Sequence, residues 1–187
     1  LNDNNNVKEV ALDSENDDGR EIGNWESRWP PKAKKIIYYE AFYVGIIFVI
    51  TLFLIVLTWR GVVFDILSNG DRGSSHVKFN QFVYFFLGGT LGGILFGMKY
   101  LYKVVASGLW NEDRKLWRIF SPFISGALAL IIGALLDSGI MGISIKASSS
   151  TAYFSIGFIT GYFADSALAK MQEISEIIFS TKHKNSN

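Results

Sequence analysis

The sequence predicts an all-α membrane protein with four transmembrane helices and a C-terminal amphipathic cytoplasmic helix. Three observations predict it. Apolar runs at 36–58, 81–101, 120–140 and 152–169 each approach the roughly 20 residues a helix needs to cross a bilayer. The second run carries five glycines in Gly88-Gly89-Thr90-Leu91-Gly92-Gly93-Ile94-Leu95-Phe96-Gly97, a density that would break a helix in water. Lipid retains it, because the backbone there must satisfy its own hydrogen bonds. Finally, Lys and Arg crowd into alternate connections between the runs, as they do where a chain threads a membrane repeatedly.

The 187 residues, 49% hydrophobic and 15% aromatic, divide into an acidic tail with a basic Trp anchor (1–35), a four-helix membrane domain (36–169) and a cytoplasmic helix and tail (170–187). A net charge of +1 provides no electrostatic case for direct nucleic-acid binding, and the lack of cysteine excludes disulfides, thiol catalysis and cysteine metal sites.

The tail sets Asp3, Glu9, Asp13, Glu15, Asp17, Asp18 and Glu21 against only Lys8 and Arg20, so it has little to bury and should be disordered when free. It is either a solvated tail or a docking segment for a basic partner. No apolar signal-like stretch precedes Ile36, so no cleavable signal peptide is expected. Trp25, Trp29 and the lysines Lys32, Lys34 and Lys35 suit a membrane-interface anchor. The first run is rich in Ile, Phe, Val and Leu; its Glu40, one turn inside, is expected to stay hydrated at the interface.

In the second run, Gly88 and Gly92, Gly89 and Gly93, and Gly93 and Gly97 are each four apart. These overlapping small-xxx-small pairs are expected to form a helix-packing face, within the protomer or between protomers, that admits another backbone closely. The connection that follows, Trp110 to Arg118, is short and dense in charge and tryptophan. Trp110, Arg114, Lys115, Trp117 and Arg118 are its candidate partner-binding residues. In the third run Pro122 is expected in the first turn, where a missing N–H costs little. The fourth run is the shortest and most polar, with Ser155, Gly157, Thr160, Gly161 and Asp165.

The side holding the N-terminus collects Lys32, Lys34, Lys35, Lys99, Lys103, Arg114, Lys115, Arg118, Lys170, Lys182 and Lys184, and the other side only Arg60, Arg72, Lys78 and Lys146. Four spans with both termini cytoplasmic satisfy the positive-inside rule at every loop. Beyond the fourth run, Leu168, Met171, Ile174, Ile177 and Ile178 recur at helical spacing opposite Lys170, Gln172, Glu173 and Glu176. That pattern is an amphipathic helix which covers the inner loop, joins a bundle between subunits or lies on the membrane surface.

Nothing in the pattern makes an enzyme. His76 and His183 share no element with a partner, and the glycine run lacks the lysine and strand of a phosphate loop, so no cofactor or metal is expected. Asp165 is the ionisable group to explain, since a carboxylate at membrane depth is functional or paired. Lys99 and Lys103 reach a similar depth, so an ion pair, a helix cap, or an ion or proton pathway are the readings open to it.

The motifs Trp110-x-Glu112-Asp113-Arg114-x-x-Trp117-Arg118, Ser121-Pro122 and Gly157-Phe158-x-x-Gly161-Tyr162-Phe163-x-Asp165 resemble a class of small bacterial membrane proteins to which no activity is tied. In size and topology the chain is similar to membrane components of anti-phage defence, the Hailong channel and the Kiwa membrane subunit. That resemblance implies a homo-oligomer in the bacterial inner membrane and a soluble cytosolic partner linked to nucleic acid. The expected function is an oligomeric channel-forming effector or regulated pore gated by a cytoplasmic partner. The alternative is a non-conducting sensor or scaffold subunit that recruits a soluble effector.

Overall fold

The structure is a computed structural model that describes residues 26–67, 75–139, 150–164, 168 and 172–173. Among the described residues five α-helices follow one another: α1 (Pro31–Trp59), α2 (Val62–Leu67), α3 (Ser75–Ala106), α4 (Lys115–Asp137) and α5 (Ser150–Tyr162), with a 3-10 turn at Glu112–Arg114 leading into α4. Among the described residues no strand occurs. Within them, three stretches are long and apolar enough to cross a membrane: Pro31–Trp59, Val77–Ala106 and Glu112–Asp137. α5 is described over 13 residues, about 20 Å of helix. Asp165 and most of the expected amphipathic helix lie outside the described residues.

The helix at the centre is α3. Of its apolar window 56% is buried, against 50% for α4 and 17% for α1. Its glycines explain why two helices can share it. A Cβ at Gly89 would stand 2.8 Å from the Ser125 carbonyl oxygen, and one at Gly93 2.6 Å from Ser125 Cβ, so this stripe lies on α4. A Cβ at Gly88 would be 3.0 Å from the Phe158 amide nitrogen and one at Gly92 2.6 Å from that of Tyr162, so the neighbouring stripe lies on α5. The order of these partners makes α4 antiparallel and α5 parallel to α3.

α5 answers with glycines of its own. A Cβ at Gly157 would meet the Phe85 carbonyl oxygen at 2.5 Å, and one at Gly161 would collide with the backbone of Gly89. Removing the side chain from both sides lets two backbones touch, which is how helices associate where no hydrophobic drive separates them from lipid. Gly97 differs from the other four: a Cβ there meets nothing within 4 Å, so it makes no close helix contact within the protomer. At its level lies a small cavity lined by Glu40, Arg118 and Pro122. Farther along, Phe85, Tyr84, Ile132, Leu136 and Tyr153 form the apolar core, with the Phe85 and Tyr153 rings edge to face at 5.3 Å.

α1 packs as a single seam. Its buried residues are Glu40, Val44, Thr51 and Thr58, and the last three are spaced by seven, the period that keeps one stripe of a helix turned to a neighbour. The polarity is inverted relative to a soluble helix: Phe42, Val49 and Phe53 are exposed while the polar residues are inside. A helix facing lipid sorts its residues this way. The Thr58 hydroxyl donates to the Leu54 carbonyl at 2.8 Å, so its burial leaves no orphan donor.

Candidate functional site at the basic end of the bundle

The basic ends of the seam and of α4 meet in a buried charge pair. α1 begins at Pro31, with proline at a position whose N–H needs no partner. Glu40 is therefore in its third turn, and the expectation that it stays hydrated is corrected. The Arg118 guanidinium grips it with two nitrogens, Nε donating to Oε2 at 2.8 Å and Nη2 to Oε1 at 2.9 Å. The Arg118 and Glu40 side chains are 5% and 3% exposed. This parallel two-bond geometry is the strongest that a guanidinium and carboxylate make.

The connection between α3 and α4 is folded onto the pair. The Trp110 indole N–H donates to Glu40 Oε2 at 3.2 Å, and the Asn111 carbonyl accepts from Arg118 Nη2 at 2.9 Å. The guanidinium carbon lies 5.6 Å from the Trp110 ring centroid, within cation–π range. Trp29 packs edge to face on Trp110 at 5.6 Å and donates its indole N–H to the Val105 carbonyl at 3.1 Å. On the membrane side the Tyr43 hydroxyl donates to the Ile119 carbonyl at 3.2 Å. One cluster thus ties together the segment before α1, α1 itself, the end of α3, the connection and α4.

The start of α4 shows why Arg118 can sit inside. Asn111 caps the 3-10 turn, its side chain accepting from the Asp113 amide at 2.8 Å, and Glu112 and Asp113 place negative charge at the positive end of the helix. The helix therefore begins before the apolar run, and Arg118 is helical and neutralised by Glu40. Pro122 lies well inside α4 rather than in its first turn. Its missing N–H frees the Arg118 carbonyl from the helical ladder.

The other expected partner-binding residues are distributed around this core. Trp110 and Lys115 are half-buried, and Trp117 is 43% exposed with its ring 5.7 Å from that of Tyr100. Arg114 is exposed and donates to the Tyr100 hydroxyl at 3.1 Å. Arg118 does not share that surface, because Glu40 holds it within the bundle. Lys99 and Lys103 are exposed, and Asp165, their expected partner, lies outside the described residues. Sequence reading missed Glu40 as a partner; the signal was an acidic residue and an arginine at the same end of two spans, which calls for pairing.

Chemically the pair is closed. The cavity against it measures about 10 Å³, and both oxygens of the carboxylate are occupied by donors. Among the described residues no cluster of His, Asp or Glu is placed to hold a metal ion. Fold and cluster together define an all-helical protein with three helices long and apolar enough to cross a membrane and a connection tied down at its basic end. Compared with family models, curated proteins and solved structures, the chain matches none.

Proposed function

We propose that the protein is a four-span homo-oligomeric membrane scaffold, both ends cytoplasmic, that recruits a soluble partner through the connection between α3 and α4. The Lys/Arg asymmetry supports the orientation, and the length and apolarity of 152–169 support a fourth span that continues α5. The observation that carries the reading is the clamping of the connection from beneath by Glu40 and Arg118, while Leu109 is exposed on it and Leu116 and Trp117 on the adjoining first turn of α4. A surface held rigid before binding loses less entropy when it docks. The glycine stripes supply a second support, since α4 and α5 of the same chain occupy both and leave neither to line a channel.

A regulated pore, with a place in anti-phage defence, is the second reading. What favours it is a recess of about 130 Å³ between α3, α4 and α5, lined in part by Ser121, Ser125 and Tyr162. One experiment separates the two. A photo-crosslinker at Leu116 should join the full-length protein to a soluble protein in cells, one at the lipid-facing Ile46 should not, and purified protein should be silent in planar bilayers. Conductance steps from the purified protein, with no adduct from Leu116, would sink the scaffold in favour of the pore. Active outer-side reporters fused to either terminus would overturn the orientation.

A further inference from the structure

At the same end of the bundle, α1 and α3 enclose an open groove of about 330 Å³. Ile37, Ala41 and Val44 form one wall, and Leu101, Tyr102 and Val105 the other. The volume is at the lower end of the roughly 300–1,000 Å³ range of small-molecule sites. It is apolar along its length and basic at its mouth. Lys34 is one turn before Ile37 on the same face of α1, and the Arg28 guanidinium packs over Gly108, just beyond the Ala106 end of the other wall, with Nη1 2.5 Å from where a Cβ would stand. The acidic residue of this part of α1, Glu40, is turned away and held by Arg118, so it does not oppose the positive mouth. Trp29 donates its indole N–H to the carbonyl of Val105, a residue of the groove wall, and an indole at this end of two apolar helices suits a membrane interface.

We propose that this groove binds one anionic phospholipid, an acyl chain lying between α1 and α3 and the phosphate at Lys34 and Arg28. The half-buried Lys34 can extend along the helix toward the headgroup while its stem covers apolar surface. Tyr102, 77% exposed, offers an apolar ring to the chain and a hydroxyl to the headgroup region. The site rests on the membrane-spanning reading but not on the scaffold, since it needs no protein partner and no particular orientation.

The test is native mass spectrometry of the full-length protein, delipidated in detergent and then offered phosphatidylglycerol or phosphatidylcholine of the same acyl composition. One phosphatidylglycerol per chain should survive activation that strips phosphatidylcholine. Ala41→Phe, which fills the groove, should abolish that retention. Lys34→Glu, at the mouth, should lower it about fivefold or more, as loss and reversal of one interfacial charge demands, and leave phosphatidylcholine unaffected. Equal retention of the two lipids would mean bulk lipid only and would overturn the proposal. So would unchanged phosphatidylglycerol retention in Lys34→Glu, a surface change that keeps the test valid even if Ala41→Phe disturbs the fold.

Discussion

Replacing Arg118 with alanine should be the most damaging single change at the basic end. Glu40 accepts three hydrogen bonds there, two from Arg118 and one from Trp110. Arg118→Ala leaves a carboxylate that is 3% exposed with the indole alone. Stranding one partner of a buried pair costs about 3–5 kcal/mol, a large share of a typical folding free energy. Glu40→Ala should cost somewhat less, because the guanidinium keeps the Asn111 carbonyl and the Trp110 ring. Glu40→Gln retains one acceptor for the guanidinium and should cost about 2 kcal/mol, the worth of a hydrogen bond to a charged group. Arg118→Lys should not rescue, since an ammonium cannot span both oxygens. The double change Glu40→Met with Arg118→Met removes both charges at similar volume and should recover most of the loss. Unfolding in mixed micelles, followed by tryptophan fluorescence, reads these differences directly. Two single variants within about 0.5 kcal/mol of the parent, or a double variant that merely sums them, would show that the pair is not coupled and that the reasoning fails.

The glycines should separate by position. Gly92→Ile and Gly161→Ala should lower the thermal midpoint in detergent by several degrees, because their Cβ atoms meet backbone of the facing helix, whereas Gly97→Ala, with nothing within 4 Å, should match or exceed the parent. If all three behave alike, the close approach of α3 and α5 is not what holds them. Trp29→Phe keeps an aromatic ring against Trp110 but removes the donor to the Val105 carbonyl, so a loss of about 1 kcal/mol is expected in the same micelle unfolding assay, and no loss would make that bond dispensable.

The sequence by itself determined that long apolar helices exist, because 20 apolar residues admit few structures that leave no backbone group unpaired in lipid. It also placed the glycine stripes on α3, since residues four apart share a helix face whatever surrounds them. Partners were another matter. Nothing in the spacing of Gly88, Gly89, Gly92 and Gly93 says that one stripe takes α5 and the other α4, or that Gly97 meets neither within the chain; that follows from which helix the tertiary structure brings against each residue. The candidate site was legible only in its parts. Trp110 and Arg118 stand out as a charged, aromatic connection, yet Glu40 is 78 residues from Arg118 in sequence and only one turn inside its apolar run, where sequence alone leaves it wet. A charge is buried or hydrated according to what another helix brings to it, and that is a property of tertiary packing alone. Once α4 began at Lys115 and carried Arg118 against the third turn of α1, the carboxylate had its counter-charge, and the connection was closed over both.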